Sequence, residues 1–234
     1  MNSFNKISKF AGVLYLIITF VAPFSMLYVP SKLIVAGDAL ATAANIQSSQ
    51  ELFRAAIVSD ALVFLLEIAL TVLVYQLVKP VDKTLALISA YARLGMTVIQ
   101  GVNVLNYIFV LLLVSGAGYM SAFASGQPEA LVSLFLQAHD STALIWGLFF
   151  GLHLLVLGYL VFKSGYMPKW LGGILLVTSL LYLAQGFGTF LFPPAGTMLK
   201  SIMSLAFIEI AFPLWLVIKG VSNDQVKKHV AESV

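Results

Sequence analysis

The sequence predicts an all-α polytopic membrane protein, a six-transmembrane-helix bundle with a short external helix between helices 1 and 2. Three observations carry that reading. Of the 234 residues, 60% are hydrophobic and 10% charged, against about 25% charged in an average soluble domain. With a mean hydropathy of +0.98, a soluble chain of this size could not hide its apolar surface, so lipid is its solvent. The apolar residues gather into six stretches of bilayer-spanning length, parted by proline, glycine and polar turns. Lysines mark alternate ends of those stretches, as topology signals do.

The first span is expected over residues 9–29, with Pro23 inside it and Pro30 ending it. Its apolar run is too long for a signal-peptide core and no small-x-small cleavage site follows, so it is read as a retained helix. Residues 31–50 form an external loop, in which Gly37-Asp38 is a turn and N-cap for a short helix, residues 39–46. Ser48-Ser49-Gln50-Glu51 matches a capping box that opens the second span, 51–78. Arg54 then lies on an overhang beyond the hydrocarbon. A tight turn through Lys79-Pro80-Val81-Asp82-Lys83 leads to the third span, 84–114, and a small polar loop to the fourth, 130–162. Pro168 suits the start of the fifth, 168–192, which Pro193-Pro194 stops. The sixth covers 197–219, and residues 220–234 are a polar cytoplasmic tail. The whole is read as one membrane domain.

Orientation follows from the lysines. Lys6, Lys9, Lys79, Lys83, Lys163, Lys169, Lys219, Lys227 and Lys228 lie at one set of ends, and only Lys32 and Lys200 at the other. Nine against two places both termini in the cytoplasm. Trp170 and Trp215 fit an aromatic belt on the same side. A net charge of +3 spread over loop ends forms no basic stripe, so nucleic acid is not an expected partner. Without cysteine, disulfides, iron–sulfur clusters and thiol catalysis are excluded.

Glu67, Arg93, His153 and Glu209 sit near the middle of four different spans. A charge at such depth costs roughly 2.5–3.5 kcal/mol on insertion scales, so it is paired or functional. Helix rise places Glu67 roughly 18 Å from Lys79, and the other three about 15 Å from Lys83, Lys163 and Lys219. The short turn makes spans two and three neighbours, so Glu67 and Arg93 can form a buried ion pair. Two acids then face one obligate cation; either His153 supplies a second positive charge or Glu209 carries a proton. Pro213 cannot donate a backbone hydrogen bond and is expected to free the Glu209 carbonyl at a kink. Glu209, His153, Asp60, Gln100 and Asn103 are therefore the candidate ligand or proton site.

Asp60 and Glu67 share one helix face, and Arg93, Gln100 and Asn103 another. With Asn106, His139, Asp140 and Gln185, they describe either a hydrated cavity opening outward or ordinary interhelical hydrogen bonding, worth about 0.6 kcal/mol per bond. His139, Asp140, Asp38 and Arg54 form a candidate outer site. No catalytic residue is assigned. Neither HExxH nor paired ExxH occurs, and bis-histidine haem lacks partners, so no metal or cofactor is expected. Gly147, Gly151 and Gly158 give the fourth span a close-packing face.

Several clusters resemble a known family. They are Gly37-Asp38-Ala39 with Ala41-Thr42-Ala43-Ala44-Asn45-Ile46, Phe53-Arg54, Asp60, Lys79-Pro80-Val81 with Thr84-Leu85-Ala86-Leu87, Arg93, and Gly158-Tyr159-Leu160 with Ser164-Gly165. In these the chain resembles an uncharacterised bacterial integral-membrane family, domain of unknown function 4386, over most of its length. The resemblance implies the six-span architecture and supplies no activity. Three functions stay open: binding or transport of a small molecule or lipid through a proton-responsive polar cavity; an intramembrane hydrolase using Asp60, His139 and Asp140, with or without metal; and a structural or stress-related membrane protein whose charges only specify helix pairing. The lipid bilayer is the expected partner, and the sequence leaves the oligomeric state open.

Overall fold

The computed structural model describes residues 4–232. Helix α1 (Phe4–Pro23) passes through a π turn, Phe24–Tyr28, into α2 (Val29–Leu33). The short α3 (Ala39–Ser48) precedes the long α4 (Gln50–Val78), α5 (Lys83–Leu113), α6 (Gln127–Lys163) and α7 (Lys169–Leu191). The last apolar stretch comprises α8 (Gly196–Ile202), a 3-10 segment (Met203–Ile210) and α9 (Ala211–Ile218), and α10 (Asn223–Glu232) follows. No strand occurs among the described residues. Six stretches are long and apolar enough to cross a membrane: Phe4–Leu33, Gln50–Val78, Lys83–Leu113, Gln127–Lys163, Lys169–Leu191 and Pro193–Ile218. The chain is an all-α, multi-pass membrane protein.

The lipid-facing side of α4 can be read from its spacing. Val58, Leu62, Leu65, Ile68 and Val72 are exposed at steps of three and four, while Asp60, Glu67 and Thr71 are buried on the other side. In water that exposed stripe would be a liability. In hydrocarbon it is the solvated face.

Two compact units make up the chain. The first comprises residues 1–19, 66–97 and 144–234; the second comprises 20–65 and 98–143. Within the first, α6 and α7 approach through glycine. A Cβ on Gly158 would meet the Gly172 carbonyl at 3.0 Å, one on Gly172 the Gly158 carbonyl at 2.6 Å, and one on Gly151 the Leu183 side chain at 2.9 Å. The Tyr166 hydroxyl, in the turn after α6, donates to the Leu77 carbonyl at 2.7 Å, and burial pushes its titration up from the usual range. Within the second, Ile46, Phe53, Ala56, Tyr107, Val110 and Val132 centre an apolar core.

The structure corrects several local expectations. Pro30 does not end the first span: the π turn resets the register, so Pro30 falls in the first turn of α2, where its missing N–H is not needed. The expected capping box does not form, because Ser48 closes α3 and turns its hydroxyl back onto the Asn45 carbonyl at 3.0 Å. Asp38 does cap α3, accepting the Ala41 amide at 2.9 Å beside Gly37 at φ 78°. Within the polar tail, Asn223–Glu232 form a helix that the sequence reading did not foresee. Val226 is buried, Asn223 Oδ1 accepts the Phe4 amide at 2.6 Å, and Ser8 Oγ accepts the Val221 amide at 2.9 Å. Residues 233–234 of the expected tail lie outside the described residues.

Gly172→Ala should destabilise the protein by about 1–3 kcal/mol, the usual effect of overpacking. Gly173→Ala, with nothing within 4 Å of the added carbon, should be neutral. Unfolding titrations in mixed micelles measure both.

Candidate functional site

The buried charges of the first unit meet around one guanidinium. Asp82 Oδ1 caps α5 by accepting the Leu85 amide at 2.9 Å, closing the short turn that returns the chain after α4. Glu67 on α4 and Arg93 on α5 then come together, with Arg93 Nε donating to Glu67 Oε2 at 2.7 Å. Arg93 is fully buried at 0% exposure, so bulk water is not available to satisfy its N–H groups. The threonines one turn on do not compete for the site: Thr71 Oγ1 donates to the Glu67 carbonyl and Thr97 Oγ1 to the Arg93 carbonyl.

On α6, His153 completes the network and its tautomer follows from its neighbours. Arg93 Nη1 lies 2.9 Å from His153 Nε2. A guanidinium only donates, so Nε2 must accept. The proton therefore sits on Nδ1, which faces the Ser89 carbonyl at 3.0 Å and the Ser89 hydroxyl at 2.9 Å. His153 is thus a neutral acceptor. Of the two alternatives the sequence leaves open, a second positive charge on His153 does not fit this geometry, because a protonated Nε2 would point a hydrogen at the guanidinium.

Among the described residues, three buried polar atoms near this centre lack a well-formed hydrogen bond: Arg93 Nη2, Tyr15 Oη and Glu209 Oε2, the first two being near enough for a looser contact with one another. The Tyr15 ring stacks under the guanidinium at 4.7 Å from its Cζ, an arrangement favouring cation–π contact over an aligned hydrogen bond. Glu209 lies close enough for its charge to act on Arg93, Glu67, Tyr15 and Tyr182. The expected free carbonyl at Glu209 is not found. Residues 203–210 tighten into 3-10 geometry, and the Ala211 amide turns onto the Glu209 and Ile208 carbonyls.

In the second unit the outer residues bond mainly to one another. Ser25, on the π turn, donates to Asp60 Oδ1, and the Gln100 amide reaches Asp60 Oδ2 at 3.5 Å. The Asn103 amide donates to the His139 carbonyl at 3.1 Å, and Asn106 to Asn103 Oδ1 at 3.0 Å. His139 stacks on Tyr107 with centroids 3.9 Å apart, its Nδ1 is 3.9 Å from Asp140 Oδ1, and its Nε2 has no partner. Asp38 is taken up in capping α3, and exposed Arg54 reaches Gln50 on its own helix at 3.5 Å. Neither is drawn into a site with His139 or Asp140 by these bonds. Separately, a groove of about 270 Å³ lies beside α3, with Leu40, Ala43, Val114 and Glu129 in its lining and none of the four mid-span charges. Among the described residues no three His, Cys, Asp or Glu side chains gather as a metal site would require.

The family model described as Domain of unknown function (DUF4386) matches residues 10–220. The chain belongs to this family. A protein of Archaeoglobus fulgidus, described as "Uncharacterized protein", is 30% identical over 169 residues, covering 70% of this chain and 83% of its own length. No solved structure matches the chain. In this DUF4386 chain, sequence reading missed Tyr15, Ser89, Ser25 and Tyr107. Tyr15 and Tyr107 read as ordinary span aromatics, and Ser25 is placed by a π turn that no propensity announces. Ser89 could have been found: it stands four residues before Arg93, on the same helical stripe.

Glu67→Ala should cost about 3–5 kcal/mol, because it leaves Arg93 buried without its counter-charge. Adding Arg93→Ala should recover part of that loss, and a double-mutant cycle reads the difference. ¹⁵N spectra of histidine-labelled protein should show His153 protonated at Nδ1 and bare at Nε2.

Proposed function

We propose that this protein binds, and through binding transports, a small molecule or lipid at a proton-responsive polar site around Arg93 in the first unit. The observation that carries the reading is the trio of buried atoms that lack a well-formed hydrogen bond among the described residues: Arg93 Nη2, Tyr15 Oη and Glu209 Oε2. An unsatisfied buried polar group costs about 1–3 kcal/mol, so three near one centre mark a place where an occupant supplies the missing bonds. Arg93 and Tyr15 offer donors, so the occupant presents an acceptor such as a carboxylate, phosphate or carbonyl oxygen. Glu209 adds a carboxyl that donates when protonated and accepts when ionised, so occupancy responds to protons. Its position supports the same reading, since a 3-10 run of eight residues is long for that geometry and such runs mark hinges in spanning helices.

The nine lysines at one set of span ends support both termini in the cytoplasm, and the family resemblance supports a bacterial cytoplasmic membrane. The structural reading has its own support in the closed Glu67–Arg93–His153–Ser89 network, which would hold helices together without any ligand. The hydrolase reading on Asp60, His139 and Asp140 finds less support, because Asp60 is engaged by Ser25 and Gln100 and His139 Nδ1 stands 3.9 Å from Asp140 Oδ1, beyond hydrogen-bond distance.

Native mass spectrometry of protein extracted with its lipids should show a retained non-protein mass. Glu209→Gln should lower its occupancy and flatten its pH dependence, and Tyr15→Phe should lower its occupancy, while unfolding midpoints stay close to wild type. A wild-type spectrum without such a mass, or one unchanged in both variants, would leave the structural reading in its place.

A further inference from the structure

The turn between α6 and α7 holds two lysines against one aromatic face, and the Arg93 site uses neither. Lys163 closes α6 and Lys169 opens α7. Between them, Ser164 Oγ accepts the Met167 amide at 3.1 Å and donates to the Val161 carbonyl at 2.8 Å, while Gly165 supplies a left-handed step at φ 67°. Ser164, Tyr166 and Met167 are buried, and the Tyr166 hydroxyl is tied to the Leu77 carbonyl. The turn is fixed from within, and it sets where the two flanking lysines leave the backbone.

Both ammonium groups come to rest on α6. Lys163 Nζ lies 5.9 Å from the ring centroid of Tyr159, and Lys169 Nζ reaches back across the turn to 5.5 Å from that of Phe162. Tyr159 and Phe162 stand three residues apart on one helix face, and both rings are exposed. Neither lysine is in a salt bridge among the described residues. A ring face occupies one side of each ammonium and leaves its other N–H donors free.

We propose that Lys163 and Lys169 form a headgroup site for an acidic phospholipid, with the phosphate between the two ammonium groups and the acyl chains along α6 and α7. Three features support this. The first is charge. The turn from Ser164 to Pro168 contains no acid, so the two cations have no counter-charge of their own, whereas the α4–α5 turn sets Asp82 between Lys79 and Lys83. The second is depth. Tyr159, Phe162 and Trp170 are exposed beside the lysines, and such aromatics lie at the level of lipid headgroups. The third is a path for the chains. Ile145, Leu152 and Tyr159 are exposed at helical spacing along α6 toward Lys163, and Leu180, Val177 and Trp170 along α7 toward Lys169. Apolar stripes that run to paired cations fit an amphiphile with an anionic head. A neutral lipid would leave both charges unmatched, and a soluble anion would make no use of the stripes. The site shares no residue with the one around Arg93, so either proposal can fail alone.

The test uses the full chain in vesicles of dioleoyl phosphatidylcholine, doped with brominated-chain phosphatidylglycerol or with phosphatidylcholine carrying the same brominated chains. Bromine quenches nearby tryptophan, and the Trp170 share is the difference between wild type and Trp170→Phe. Brominated phosphatidylglycerol should quench Trp170 at a several-fold lower mole fraction than the phosphatidylcholine. A lysine near an anionic lipid is worth about fivefold in binding, so Lys163→Gln with Lys169→Gln should abolish the preference. Both side chains are exposed, and circular dichroism checks that the helices remain. Lys79→Gln with Lys83→Gln removes the same charge from the neighbouring turn and should leave the preference intact. A wild-type protein without the preference overturns the site, and so does its equal loss in the two double variants, which would make the attraction diffuse. Inorganic phosphate that removes the preference at constant ionic strength would overturn the lipid assignment in favour of a free anion.

Discussion

The burial of one guanidinium organises the first unit. Arg93 is among the largest fully buried side chains and carries a charge that no environment in the cell removes. Once it is enclosed, its surroundings have little freedom. A carboxylate must reach it, and Glu67 does at 2.7 Å. An acceptor must meet a second nitrogen, and His153 can do so only as a neutral ring. An aromatic face must cover the cation, and Tyr15 does at 4.7 Å. Helices α1, α4, α5 and α6 are thereby tied to one atom group. Dispersion and close glycine contacts alone would tolerate sliding between apolar helices in lipid, whereas hydrogen bonds to a buried charge fix their register.

The second unit solves the same problem with weaker means. Its buried acid, Asp60, is met by a hydroxyl and a long amide contact rather than by arginine or lysine. That difference begins in the first span. Pro23 interrupts the α-helical bonding, the next five residues wind as a π turn, and the change of pitch carries Ser25 toward Asp60. An acid held by neutral partners keeps the freedom to change charge, whereas one locked against a guanidinium does not. The chemistry available to the two units diverges at that point.

How far these features could be read in the sequence depends on whether they are set locally or through tertiary contact. The spans are visible because hydropathy over about 20 residues is a property of the chain itself. Juxtaposition of Glu67 and Arg93 was legible because Lys79-Pro80-Val81-Asp82-Lys83 leaves two long helices no choice but adjacency. The state of His153 was not legible, since it depends on Nε2 facing Arg93 Nη1 and Nδ1 facing Ser89, two contacts made across space. Pro213 pointed to a kink, but 3-10 tightening over Met203–Ile210 provides a different outlet for the same missing N–H. The C-terminal helix was missed because its polar residues resemble a tail until Val226 and Asn223 are seen docked.

Glu209 acquires its significance from the neutrality of His153. Had the histidine been cationic, Glu67 and Glu209 would have balanced Arg93 and His153, leaving an interior with no reason to change. With His153 an acceptor, Arg93 and Glu67 cancel, and half-buried Glu209 is left with a charge that acts on Tyr15 and Tyr182. Its enclosed oxygen, Oε2, is satisfied either by a proton or by an occupant that brings its own donor. Those two solutions exclude one another at the same oxygen. Under the binding proposal, competition between proton and ligand for Glu209 then follows from the hydrogen-bonding direction of a single imidazole nitrogen.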